Sequence, residues 1–170
     1  MTSHHAHTLT PLGEMILASN GQVLTGAWFT GQAHFPTSDA LGRRIEISDC
    51  DVLTDAQAQL LEYFAGQRTV FELPIAPEGT DFQLAVWAAL QDIPYGYTTT
   101  YGAISKIVGP GAPAQAVGQA VGRNKVSIFI PCHRVLAADG KLTGYAGGLE
   151  RKEYLLALEE PSAEAEGRLF

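Results

Sequence analysis

Thr100-Tyr-Gly-Ala-Ile-Ser-Lys-Ile-Val108, Gly109-Pro-Gly111 and Pro113-Ala-Gln-Ala-Val-Gly-Gln-Ala-Val121 follow one another in the C-terminal half. The first and third pieces carry helical residues. The middle one carries the glycine and proline that a helix does not pass. The chain therefore makes two short helices joined by a glycine-containing turn, a helix-turn-helix. The second helix is slim, with Ala114, Ala116, Gly118 and Ala120. Such a surface fits a narrow nucleic-acid groove, whereas major-groove reading uses long Arg, Asn or Gln side chains. Close packing on another helix would use the same alanines, and many helical hairpins bind nothing.

Moving downstream, Val126-Ser-Ile-Phe-Ile130 has the pattern of a buried strand and runs into Pro131-Cys132-His133-Arg134-Val135. A free thiol ionises near pH 8.5 and reacts as thiolate, so it needs a base or a positive charge beside it. His133 is placed to serve, directly or through one water, with a carboxylate to orient the ring. Neighbouring side chains on a strand point to opposite faces, so the chain must turn at Pro131-Cys132 for the pair to cooperate. A buried cysteine that merely adjoins a surface histidine is the plain alternative.

Upstream, Thr80 and Gln83 are spaced as a capping box, and Phe82, Val86, Trp87 and Leu90 form the apolar stripe of the helix they open. Ile93-Pro-Tyr-Gly96 ends it. Further back, Glu14–Ser19 and Gln22–Phe29 flank Asn20-Gly21, a hairpin with a type I′ turn. Residues 31–50 read as loop with a short strand at Ile45–Ile47. Residues 52–65 put Ala56, Leu60, Tyr63 and Phe64 on one helical face, with Gly66 as the C-cap. Val70–Ile75 reads as an edge strand because of Pro74. Ser3-His-His-Ala-His7 reads as a solvated tail that holds no metal, Cys50 as a structural cysteine, and Pro161–Phe170 as an acidic, frayed end.

The 170 residues are 46 % hydrophobic and 17 % charged, which describes a globular chain. No apolar run has the roughly 20 residues of a membrane helix, and the N-terminus lacks the apolar segment of a secretory signal. Two cysteines are too few for a disulfide scaffold, so a cytoplasmic location is expected. The net charge is −7 but uneven. Residues 1–98 hold 3 basic against 11 acidic side chains, residues 99–152 hold 7 against 2, and residues 153–170 hold 1 against 5. A basic segment that includes Arg123 thus sits inside an acidic protein and offers a local polyanion surface. Glycine-rich nucleotide fingerprints are absent, so no cofactor is expected.

Gly122-Arg-Asn-Lys-Val-Ser-Ile-Phe-Ile-Pro-Cys-His-Arg-Val135, Gly144-Tyr-Ala-Gly-Gly-Leu-Glu-Arg-Lys152 and Ile93-Pro-Tyr-Gly-Tyr-Thr-Thr-Thr-Tyr-Gly-Ala-Ile104 resemble the O6-alkylguanine-DNA alkyltransferases, the methylated-DNA–protein-cysteine methyltransferases. The strong resemblance covers about residues 79–159. It implies an α+β protein: a small N-terminal sheet-plus-helix domain over residues 1–78, then a mainly helical domain with the helix-turn-helix over 79–170. It further implies a single-turnover DNA repair protein that moves an alkyl group from O6 of guanine irreversibly to Cys132. His133 would activate the thiol through a water, Glu159 at the end of a helix Leu149–Leu158 would orient His133, and Asn124 would brace the turn. Tyr101 would help rotate the nucleotide out and donate to the base. Val135, Tyr145, Ala146 and Gly147 would frame the guanine pocket. Gln115, Ala114, Ala116, Gly118 and Arg123 would meet the DNA. The expected partner is single- or double-stranded DNA containing O6-alkylguanine, met by a monomer without metal or membrane.

Two positions depart from that pattern. Gln115 stands where the family places the arginine that fills the space left by the flipped base. Lys125 stands where a proline usually follows the asparagine. The rival readings are a non-catalytic binder of alkylated DNA, which Cys132 argues against, and a divergent transferase acting on a small alkylated molecule.

Overall fold

His4–Thr10 (β1), Gly13–Ser19 (β2) and Leu24–Phe29 (β3) form an antiparallel meander, and Arg43–Arg44 (β4) joins β1 in parallel. The sheet order is β3-β2-β1-β4. The computed structural model describes residues 2–109 and 111–160. Its remaining elements, in chain order, are helices Ser38–Leu41 (α1), Asp51–Phe64 (α2) and Asp81–Gln91 (α3), strand Thr99–Thr100 (β5), helices Tyr101–Val108 (α4) and Ala114–Gly122 (α5), strand Val135–Leu136 (β6) and helix Leu149–Glu159 (α6). This is the expected α+β class, with the sheet first and the helices after. No helix among the described residues is long and apolar enough to cross a membrane. The expectation for Pro161–Phe170 lies outside the described residues.

Several local readings need correction. The histidine-rich N-terminus is an inner strand and no tail. Ala6 and Thr8 are buried, and His5 Nδ1 lies 3.2 Å from the Leu41 carbonyl oxygen. One partner, β2, follows directly, but the other, β4, is distant in sequence, and no apolar alternation marks the strand. The hairpin β2–β3 forms, but its turn is not type I′, because Asn20 lacks the positive φ that turn requires. Instead the Asn20 side-chain oxygen accepts from the backbone N–H groups of Gln22 and Val23, at 2.9 and 3.1 Å. The strand expected at Ile45–Ile47 lies two residues earlier, at β4, and Ile47–Asp49 is a single 3₁₀ turn. Val70–Ile75 pairs only through one bridge, Ile75 with Leu24, since Pro74 has no N–H to extend a ladder.

The helices start where the sequence says. Thr80 caps α3, with Gln83 reciprocating, and Thr100 caps α4 by accepting from the Ala103 N–H. Gly66, at φ +75°, follows the end of α2. Trp87 of α3 is buried and donates its indole N–H to the Ala120 carbonyl at 2.9 Å, which locks α5 against α3. One continuous apolar core contains Leu17, Phe29, Leu60 and Tyr63 from the first half and Trp87, Ile104, Val117, Val135 and Leu155 from the second.

The two halves also share backbone hydrogen bonds. Ala27 of β3 accepts from Ser127 N–H at 2.9 Å and donates to the Lys125 carbonyl at 2.8 Å. Ala33 N–H donates to the Ala146 carbonyl at 3.0 Å. The N-terminal half therefore holds both segments that flank Cys132, one through β3 and the other through the loop after it.

Candidate active site

Val126–Ile130 is buried throughout but is not a strand. It is a tight turn in which Ile130 N–H donates back to the Val126 carbonyl at 2.9 Å and Ile128 sits at φ +73°. A β-branched residue in that region is strained, by about 1–3 kcal/mol, and persists only where its surroundings hold it. Asn124 does the holding. Its Nδ2 donates to the Ile130 carbonyl at 2.8 Å, and its Oδ1 accepts from Val126 N–H at 3.0 Å. The expected change of direction after Pro131 is present as a 3₁₀ turn over Cys132–Arg134.

That turn carries Cys132 and His133 and sets His133 against Glu159. Glu159, the last residue of α6, is buried, and its Oε2 takes a hydrogen bond from His133 Nε2 at 2.7 Å. A carboxylate only accepts, so the proton of the neutral ring sits on Nε2 and Nδ1 keeps its lone pair. Nδ1 is buried and has no partner among the described residues. Arg134 grips the same carboxylate with two arms, Nε to Oε1 at 2.7 Å and Nη2 to Oε2 at 3.0 Å, and donates from Nη1 to the Ile93 carbonyl at 2.6 Å. Tyr63, from α2, donates its hydroxyl to Oε2 at 2.5 Å.

The electrostatics follow from burial. Burial pushes the Cys132 thiol up to about 11, against the pull of Asn124 and the Lys152 charge. The resting sulfur is thus a neutral thiol and needs a base. Burial lowers the His133 pKa, assisted by the charges of Arg134 and Lys152 and opposed by Glu159, so the ring is neutral and basic at Nδ1. Burial alone would raise Glu159, but the hydrogen bonds from His133, Arg134 and Tyr63 win and bring it down to about 2. The carboxylate therefore stays ionised.

The pocket residues are arranged around this centre. Strands β5 and β6 pair in parallel, Thr99 with Val135, which sets the start of α4 beside the turn that carries the cysteine. Tyr101 opens α4, is half-buried, and shares a 3.0 Å hydrogen bond with Thr143 Oγ1. Lys152 is wholly buried and ties Val135 to Thr143 by donating to both carbonyls, at 2.7 and 2.8 Å. The Tyr145 hydroxyl is buried, and burial pushes its pKa up. Gly147 is hemmed in: a Cβ there would lie 2.8 Å from the Tyr145 ring and 3.0 Å from Phe29. Ala146 is half-buried beside it.

The outer face of α5 is open to solvent. Ala114, Gln115 and Arg123 are exposed on α5, Ala116 and Gly118 are half-buried, and Gly118 rests 3.8 Å from the Tyr101 ring by its Cβ position. Ala120 packs into the core. Of the two uses of the small residues, close packing is present at Ala120, while Ala114 lies on the open side of the helix. Gln119 is exposed one turn after Gln115 and was not singled out by its sequence context. The basic segment is less of a surface than its count implies: Arg134 and Lys152 are buried, while Lys106, Arg123, Lys125 and Lys141 are exposed. Sequence reasoning also gave no role to Arg134, Lys152 or Tyr63. For Arg134 the only signal was its place beside His133. Cys50 is buried in the core, as expected of a structural cysteine.

Comparison with known proteins falls on the same segments. Residues 81–161 match the family model for the DNA binding domain of 6-O-methylguanine DNA methyltransferase, and residues 4–77 match its ribonuclease-like domain. The methylated-DNA–protein-cysteine methyltransferase of Mycobacterium tuberculosis is 43 % identical over 167 residues, 98 % of each chain. The constitutive enzyme of Bacillus subtilis is 42 % identical over 154 residues, 90 % of this chain and 93 % of that one. Among solved structures, Mycobacterium tuberculosis O6-methylguanine methyltransferase superposes with a TM-score of 0.82 at 41 % identity, covering 97 % of this chain and 99 % of that one. The same organism's OGT in complex with DNA gives 0.82 at 43 % identity, covering 94 % and 96 %.

Proposed function

This chain belongs to the 6-O-methylguanine DNA methyltransferase family, and on that premise we propose that the cysteine receiving the alkyl group is Cys132 and that His133, Glu159, Asn124 and Tyr101 serve it. The family's reaction, repair of DNA by drawing an alkyl group from guanine O6 onto the protein's own cysteine, is this chain's activity. The observation that carries the assignment is the buried run from Cys132 through His133 to Glu159, with Nδ1 left as the only basic site on the ring.

The step balances as follows. A water between Sγ and His133 Nδ1 passes the thiol proton to the ring, which becomes imidazolium against the Glu159 carboxylate. The sulfur forms a bond to the alkyl carbon, the bond from that carbon to O6 breaks, and its electron pair goes to the purine. The Tyr101 hydroxyl donates to the purine and makes it a better leaving group. The product thioether does not leave, so each chain acts once.

The reactive carbon is hidden in a duplex, so the nucleotide must be turned out at a cost of a few kcal/mol. The exposed α5 positions Ala114, Gln115 and Arg123, with Ala116 and Gly118 behind them, are the surface assigned to DNA. Val135, Tyr145, Ala146 and Gly147 form the walls of the base pocket. The division into domains 1–78 and 79–170 and a cytoplasmic location belong to the same reading.

Free O6-benzylguanine tests the assignment without DNA. Intact mass is expected to rise by one benzyl group per chain and then stop, with His133→Gln slowing the reaction about 10²-fold or more. A Cys132→Ala protein that still takes up the group removes Cys132 as acceptor.

A further inference from the structure

Tyr63 reaches the reaction centre from the other half of the protein, 96 positions before the carboxylate it touches. Its ring is buried and fixed by neighbouring rings: Phe64 at 5.5 Å between centroids, Phe71 at 5.4 Å and Tyr95 at 6.3 Å. Phenylalanine would fill that space equally well. The hydroxyl is what distinguishes the residue, and it is spent on one atom, Glu159 Oε2, at 2.5 Å. That oxygen is also the one that takes the His133 Nε2 proton at 2.7 Å.

We propose that Tyr63 is a positioning residue of the relay: its hydroxyl competes with His133 for the charge of Glu159 Oε2, and so holds the imidazole in the neutral form that is basic at Nδ1. The proposal rests on the roles of His133 and Glu159 given above.

A carboxylate stabilises imidazolium in proportion to the charge it can offer, and each further donor on the same oxygen reduces that offer. Burial raises the Tyr63 phenol above its ordinary value, so it stays a donor at every pH the folded protein meets. The charged groups that act on the imidazole are Glu159 and Lys152 of α6 and Arg134 of its own turn, with Cys132 next to it in the chain; Tyr63 of α2 reaches it through Glu159. Tyr95, which follows α3, lies near Glu159 but gives its hydroxyl to the Leu158 carbonyl at 3.2 Å. Without the Tyr63 hydroxyl the balance tips toward imidazolium. The site would then lose its base at a higher pH than before.

The test is the single-turnover rate of Cys132 alkylation by free O6-benzylguanine across pH, for the wild type, Tyr63→Phe and Tyr95→Phe. Tyr63→Phe is expected to move the acid limb upward by about half to one pH unit, a loss of about three- to tenfold on the limb, with little change on the plateau above it. Tyr95→Phe loses a bonded hydroxyl in the same aromatic cluster but is expected to leave the limb in place. 3-Fluorotyrosine at position 63, a stronger donor of nearly the same shape, is expected to move the limb downward, and it decides the matter if Tyr63→Phe does not fold.

A limb unmoved in both Tyr63 variants overturns the proposal, as does a uniform loss at all pH that Tyr95→Phe reproduces. A wild-type rate that falls at no acid pH where the protein stays folded overturns the relay itself, and the role of Tyr63 with it.

Discussion

Around Cys132, His133, Arg134 and Glu159 are buried and bonded to one another and Asn124 to the backbone of the preceding turn, whereas Ala114, Gln115 and Gln119 of α5 and Arg123 just after it face solvent with no side-chain hydrogen bond among the described residues. The two regions are built on different terms. In the first, each group is another group's partner, so a change at one site strands a charge or a backbone dipole at the next. In the second, a side chain can be exchanged with little effect on its neighbours. The two departures from the family pattern, Gln115 and Lys125, both lie at exposed positions, while Asn124, Cys132, His133 and Glu159 are buried. The buried network is fixed by mutual constraint, and the exposed positions are free of it.

Substitutions on the two sides sharpen this contrast. The largest effect is expected from Glu159→Gln. It leaves the Arg134 guanidinium buried without its counter-charge, at about 3–5 kcal/mol in urea unfolding. It also frees the His133 tautomer, slowing alkylation about 10²-fold or more in single-turnover assays. Asn124→Ala comes next, because it strips partners from two buried backbone groups and releases the turn strained at Ile128. A loss of about 2–5 kcal/mol is expected. A variant as stable as the wild type would mean the turn holds itself.

Acid should act on the buried side alone. His133 has a lowered pKa in the fold, so its share of stability is complete above the unfolded value of 6.5 and is lost as pH falls below it. Glu159, held at about 2 against 4.5, adds a second loss as pH falls from 4.5 toward 2. Denaturation measured stepwise from neutral pH downward should show both, and replacing His133 with glutamine should remove the earlier one. The smallest effect belongs to the open side. Gln115→Arg adds charge and a planar group that can stack in the gap left by a flipped base. It should speed repair of an O6-methylguanine duplex by about three- to tenfold and leave the reaction with free O6-benzylguanine unchanged. Equal duplex rates would show that Gln115 already suffices.

The parts legible in the sequence were those with local signals. The capping box at Thr80, the proline and glycine breaks and the apolar stripes placed α2 to α5 closely, because a helix is stabilised by residues three and four apart, while α6 came from the family resemblance. Strand β1 was not legible, because His4–Thr10 has no apolar alternation and its inner place in the sheet depends on β4 at Arg43–Arg44, far along the chain. Val126–Ile130 looked like a strand because every side chain is buried, and nothing in the letters reveals a left-handed Ile128. Arg134 and Lys152 were counted as surface charge, since burial of a cation depends on a carboxylate or carbonyls brought from α6 and the 135–143 segment. Tyr63 was correctly placed on the inner face of its helix. Its hydroxyl contact 96 positions away is a property of the fold alone.

The most direct measurement is intact mass followed by peptide mapping after one equivalent of duplex DNA carrying O6-methylguanine. The account predicts a gain of one methyl group per chain, found as S-methylcysteine at Cys132 with Cys50 unmodified and unmodified guanine left in the DNA. Methyl on Cys50, or repaired DNA beside an unmodified Cys132, would contradict it.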